Sequence, residues 1–118
     1  MPLTNPSVPI QEDWEAPTLT NSWSNATGTP TLTPAGYYKD SLGVVHLRGS
    51  LTGGAVGTTL FTLPSGYRPE FRHQIGIATR DSSSVIFGKV DVYADGSVQL
   101  GAGGTTRVFL DGVSFRAA

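Results

Sequence analysis

The residues able to do chemistry are few and scattered. The only histidines are His46 and His73. Two imidazoles need further N or O ligands from distant loops before they can hold a metal, and no metal site is expected. His46 follows Val44 and Val45 and reads as a core or subunit-interface histidine with a satisfied hydrogen bond. His73 lies beside Arg72 and near Glu70, a polar grouping that makes His73 and Arg72 candidate ligand contacts. Glycan hydrolysis would need two carboxylates at a set separation, and Asp81, Asp91, Asp95 and Asp111 are the candidates. Asp95 and Asp111 each precede a Gly and read as turn formers. Asp91, between Val90 and Val92, reads as a strand residue with a partner such as Lys89 or Arg107. No nucleophile elbow is present, and Gly101 to Gly104 lacks the Lys and the following helix of a phosphate loop. That run reads as a flexible strand connection. The chain is therefore expected to bind without turnover and without a cofactor.

A saccharide presents C–H faces and hydroxyl rims, so its site needs an exposed ring with donors and acceptors nearby. Trp14, Tyr37 and Tyr93 are candidate aromatics for this role. Trp14 sits among Glu12, Asp13 and Glu15, which points to partial exposure or docking on a basic patch of a neighbour. Arg80-Asp81-Ser82-Ser83 reads as a polar loop between two long strands, where binding side chains are commonly mounted. Arg80 and Asp81 there suit a polyol or a phosphate-bearing wall polymer. The candidate ligand-binding set is thus Arg80, Asp81, His73, Arg72, Tyr37, Tyr93 and Trp14.

The elements that must position these residues are short strands. Apolar and polar residues alternate in bursts that end in Gly, Pro, Ser or Asp. Strands are expected at Thr18–Asn25, Tyr37–Lys39, Val44–Leu51, Thr58–Leu63, Phe71–Thr79, Val85–Tyr93, Val98–Leu100 and Arg107–Phe115, the last interrupted at Asp111-Gly112. Phe71, His73, Ile75 and Ile77 fall on one face of their strand, and Arg72, Gln74, Gly76 and Ala78 on the other. Ala94-Asp95-Gly96-Ser97 is a hairpin signal. No sustained i, i+3, i+4 apolar stripe occurs, so almost no helix is expected. Eight or so short strands imply an all-β antiparallel sandwich, jelly-roll-like.

The 118 residues, with 15 Gly and 8 Pro, fit one turn-rich domain. Residues 1–17 read as an extended N-terminal arm, broken by Pro2, Pro6, Pro9 and Pro17, with Ile10 and Trp14 to bury. Residues 18–118 form the sandwich domain. A net charge of -1 provides no large cationic field, so nucleic acid is not an expected partner. No apolar run can span a bilayer, no signal peptide is expected, and there is no Cys to form disulfides. Val44-Val45, Val85-Ile86-Phe87 and Val108-Phe109-Leu110 are apolar on both faces. In a small domain such a surplus is best buried between subunits.

Several motifs carry a family likeness. At Tyr38-Lys39-Asp40, Val45-His46-Leu47-Arg48-Gly49, Phe61-Thr62-Leu63-Pro64, Gly66-Tyr67-Arg68-Pro69, Asp95-Gly96 and Leu110-Asp111-Gly112-Val113-Ser114-Phe115 the chain resembles the C-terminal head modules of bacteriophage tail-fibre, base-plate and receptor-binding proteins. The resemblance spans roughly residues 18 to 116. It implies a homotrimeric β-sandwich head on a virion that binds a bacterial cell-wall or capsular glycan. Gly49, Gly66 and Gly96 then suit turns, and Leu47, Phe61, Leu63 and Phe115 the core. Trp23 and Tyr67 match the family frame as packing residues. Such heads usually follow a long shaft, and here only a short arm precedes the module. A structural virion protein, a capsid decoration or base-plate fitting attached to other virion proteins by its arm, is the alternative.

Overall fold

Period-two alternation becomes ten antiparallel strands in the computed structural model, which describes residues 11–118 and contains no helix among them. In chain order these are β1 Ser24–Asn25, β2 Gly36–Lys39, β3 Val44–Arg48, β4 Ser50–Thr52, β5 Thr59–Thr62, β6 His73–Asp81, β7 Ser84–Val92, β8 Ser97–Ala102, β9 Arg107–Phe109 and β10 Ser114–Arg116. Seven form one sheet in the order β1-β4-β9-β6-β7-β8-β5, and β10-β3-β2 form a second. The result is the antiparallel all-β sandwich expected. Its core draws on both sheets: Val45, Leu47 and Phe115 from the smaller, Leu51, Leu60, Phe61, Val90, Val92, Val98, Leu100 and Val108 from the larger. Leu63, just past β5, is buried with them.

The expected strand Val44–Leu51 is in fact two strands in different sheets. Gly49 divides β3 from β4 with φ +127, a backbone setting that side chains oppose. The expected strand Arg107–Phe115 divides the same way at Asp111-Gly112. The two crossings lie side by side and are tied together. Gly49 N donates to Asp111 Oδ1 (2.9 Å), Leu110 N to Gly49 O (2.8 Å) and Leu47 N to Val113 O (2.8 Å). Bends of this kind carry strands from one layer of a sandwich to the other. Asp111 is thus a corner residue whose carboxylate satisfies a backbone N–H that the bend would otherwise strand.

Other expectations need correction. The strand Thr18–Asn25 shrinks to Ser24–Asn25, because Asn21 and Ser22 take positive φ and Trp23 N closes a turn onto Thr20 O. Phe71 lies before β6 and is 71 % exposed, since pairing with β7 begins only at His73. Arg80 and Asp81 are not loop residues but the last two of β6, because Ser82-Ser83 alone makes the turn, with Ser82 at φ 55. Gly101 to Gly104 is not a flexible connection. Gly101 belongs to β8, and β-carbons at Gly103 and Gly104 would meet Thr79 and the Arg80 backbone. The Asp95-Gly96 hairpin is as expected: Gly96 takes φ 93 and Tyr93 N bonds to Ser97 O (2.9 Å).

The segment from Gln11 to Asn25 runs along strand edges of its own chain. Glu15 exchanges backbone bonds with Tyr37 on β2 (2.8 and 2.9 Å), Thr20 N bonds to Leu60 O on β5 (2.9 Å), and β1 pairs with β4. Pro2, Pro6, Pro9 and Ile10 lie outside the described residues.

Candidate functional site

Strand alternation divides β6 and β7 into two faces. His73, Ile75, Ile77 and Thr79 face inward with Val90 and Val92. Arg72, Gln74, Gly76, Ala78 and Arg80 face outward. The register sets Gln74 opposite Asp91, Gly76 opposite Lys89, Ala78 opposite Phe87 and Arg80 opposite Val85. Across β7, Asp91 also faces Gln99 of β8. The outer face of the larger sheet therefore carries a polar row, Gln74–Asp91–Gln99, with Lys89 and Phe87 next along the strand.

Asp91 anchors this row. It is 3 % exposed, lies over Gly101 where no β-carbon would fit, and its Oδ1 is buried without a hydrogen bond. Arg72 Nη2 is 3.5 Å from Oδ1 and Lys89 Nζ is 3.5 Å from Oδ2. A desolvated carboxylate flanked by two cations holds both long side chains near the sheet. Arg72 takes the place expected of Arg107, and its guanidinium lies 5.2 Å from the centroid of Tyr93. The Tyr93 hydroxyl bonds to Gln99 Oε1 at 3.3 Å.

Phe87 places an exposed aromatic ring on this face. It is 78 % exposed, and its ring reaches across to cover Gly76, where a β-carbon would come 3.0 Å from Cε1. It borders an open depression of about 480 Å³ with Ala78 and Val85. An apolar ring, two cations, a carboxylate and two amides thus share one surface. Such a surface offers C–H contact together with donors and acceptors for hydroxyl groups.

The candidates read from the sequence do not all gather here. Arg72 and Tyr93 lie together, and Arg80 lies on the same face farther along β6. Asp81 is exposed beside the Ser82-Ser83 turn. His73 turns inward toward Phe115 (ring centroids 6.0 Å apart) and borders a separate cleft of about 370 Å³ with Glu70, Phe71 and Arg116. Tyr37 packs edge-on against Tyr67 at 5.2 Å in the smaller sheet. Trp14, 38 % exposed, sits against Tyr38 at 4.4 Å and under the Arg48 guanidinium at 4.4 Å, so the basic group it meets is in its own chain. Phe87, Lys89, Gln74 and Gln99 were not among the binding candidates read from the sequence, although Lys89 was expected beside Asp91. The signal was present: Val85, Phe87, Lys89 and Asp91 alternate with the core residues Val90 and Val92.

The smaller sheet carries its own polar cluster. His46 Nε2 is 2.9 Å from Asp40 Oδ2, and the imidazole stacks on Tyr38 at 4.8 Å, so His46 is an outer-face residue with its hydrogen bond satisfied. The Tyr67 hydroxyl donates to Glu12, which raises its pKa above the ordinary phenol value. Bonding to His46 and to the N–H groups of Val44 and Leu42 lowers the Asp40 pKa below 3.8. A depressed carboxyl contributes stability that is complete above its ordinary pKa and lost as pH falls through the lowered one. Asp40→Ala is therefore expected to be less stable than the parent at neutral pH and to converge with it in strong acid. Urea unfolding across that range measures this, and a difference that persists in strong acid would count against the assignment.

Comparison with protein-family models, with curated proteins and with solved structures finds no match. The likeness to phage head modules rests on the sequence motifs alone.

Proposed function

We propose that the chain is a non-enzymatic virion binding head that holds a bacterial cell-surface saccharide on the outer face of its seven-stranded sheet. The observation that carries this reading is the exposed Phe87 ring beside Lys89 and the Arg72–Asp91 pair. Rigid paired strands hold these groups, so little ordering is needed on binding. The phage setting is taken from the motif likeness. The test is binding to immobilised bacterial wall and capsular glycans by the parent and by Phe87→Ala. An exposed ring contributes little to folding, so the variant should melt within a few degrees of the parent, consistent with a stability change of about 0.5 kcal/mol. Its affinity should fall about tenfold, equivalent to about 1.4 kcal/mol. Equal binding by both proteins would overturn the assignment.

One observation favours a second reading, a structural virion protein. Of the three segments apolar on both faces, Val45, Val108 and Leu110 are buried within the chain, whereas Val85 is 67 % exposed and Phe87 lies open beside it. In that reading copies of the chain pack through Val85, Ile86 and Phe87, in a trimer as the motif likeness implies. Light scattering separates the two: Phe87→Ala would then dissociate the assembly, and no glycan would bind.

A further inference from the structure

The structure assigns a charge to the ligand. We infer that the saccharide is acidic, and that Arg80 and Arg107 clamp its carboxylate or phosphate group. This rests on the saccharide-binding reading above. Arg80 of β6 and Arg107 of β9 are direct cross-strand partners. Like charges placed opposite each other destabilise a sheet pair. Among the described residues neither has an acidic group within ion-pair distance, since the acidic partners go to His46, Arg72 and Lys89. Arg80 makes one long bond, from Nη2 to Ser82 O at 3.4 Å. Arg107 Nε is buried without a partner, which holds that side chain against the sheet instead of out in water. Two cross-strand arginines with free donors offer the chemistry that matches the paired oxygens of an oxyanion.

The position of the pair suits a substituent on a sugar resting against Phe87. Arg80 is two residues from Ala78, the cross-strand partner of Phe87, which is about 7 Å along the strand. The wider field agrees. Arg72, Arg80, Lys89 and Arg107, four of the chain's eight basic residues, share this outer face, and Asp91 pairs with two of them. The net charge of -1 conceals this, because Glu12, Glu15 and Asp40 lie along and beside β2 in the smaller sheet. A nucleic acid fits less well. It presents an unbroken run of phosphates, one per nucleotide. The apolar Ala78 and Phe87 and the carboxylate of Asp91 interrupt the cations. Sparse anions on a hydroxyl-rich polymer meet the pattern.

The test uses the full chain and four probes: a polyuronate, the same polymer with its carboxyl groups reduced to alcohols, a poly(glycerol phosphate) and a single-stranded oligonucleotide. Binding is measured by interferometry at about 50 and about 200 mM salt, since phosphate and carboxylate contacts weaken with salt. The parent is expected to bind one or both acidic polymers at least tenfold more tightly than the reduced polymer, with the preference shrinking at the higher salt. The better acidic polymer identifies carboxylate or phosphate as the source. Arg80→Gln/Arg107→Gln should abolish the preference while keeping the parent's melting temperature or raising it, because the like-charge opposition is gone. Equal binding of the acidic and reduced polymers by the parent overturns the acidic ligand and leaves saccharide binding standing. Binding of no saccharide overturns both. Tighter binding of the oligonucleotide than of either acidic polymer overturns the inference in favour of nucleic acid.

Discussion

Gly49→Ala is expected to cost the fold about 3 kcal/mol or more, combining backbone strain with overpacking. At φ +127 a side chain is strained whatever space surrounds it. Here there is no space: the added β-carbon would stand 2.6 Å from Ala35 Cα and 2.8 Å from Ala35 N. Ala35 cannot retreat easily. It is buried, and its N–H is bonded to Asn25 Oδ1 at 2.8 Å. Rotating Gly49 instead would break its bonds to Asp111 and Leu110 and disturb both sheet crossings together. A domain stable by about 5–15 kcal/mol loses a large share of its margin this way. Urea unfolding measures the loss, and a change below about 1 kcal/mol would mean that the corner tolerates a side chain.

Trp23→Ala is expected to cost about 3–5 kcal/mol, in the range of large aromatic deletions from cores. The indole is almost fully buried and closed over by the loop between β4 and β5, where a β-carbon on Gly54 would run into the ring. Its Nε1 donates to Thr58 Oγ1 (2.9 Å), which in turn donates to Ala55 O (2.6 Å). Deletion leaves a cavity and removes the chain that fixes the loop. Trp23→Phe should recover part of the packing and none of the hydrogen bond, giving an intermediate value. Calorimetric melting of the three proteins checks the order, and a Phe variant as damaged as the Ala variant would show that the hydrogen bond outweighs the packing.

The sequence was most legible where alternation is strict and local. Leu47, Phe61, Leu63 and Phe115 fall in the core as the motif likeness implies, and Asp95-Gly96 turns as its residue types predict. It was least legible where distant contacts decide. Val45, Leu47 and Leu51 keep an apolar rhythm straight through Gly49, so nothing local marks the passage from one sheet to the other. Ser82-Ser83 makes a tight turn without glycine, and Arg80 and Asp81 therefore resemble loop residues. Gly101 to Gly104 resembles a flexible run because composition carries no record of Thr79 and Arg80 pressing against it. The candidate site was half visible for the same reason. Arg72 and Tyr93 stood out as polar and aromatic residues. Phe87 read as surplus apolar surface to be buried between subunits, because its outward direction depends on the register of β7 against β6 and β8.

The course of Gln11 to Asn25 has a consequence for how this molecule behaves in a crowd. An unpaired strand edge is an open template that other chains can join, and natural proteins cover such edges. One short stretch does so at β2, β5 and β4 in turn, using Glu15, Thr20 and the Ser24–Asn25 pair. A protease cut or a competing peptide that lifted this stretch would bare three templates at once, opening the chain to fibrous aggregation.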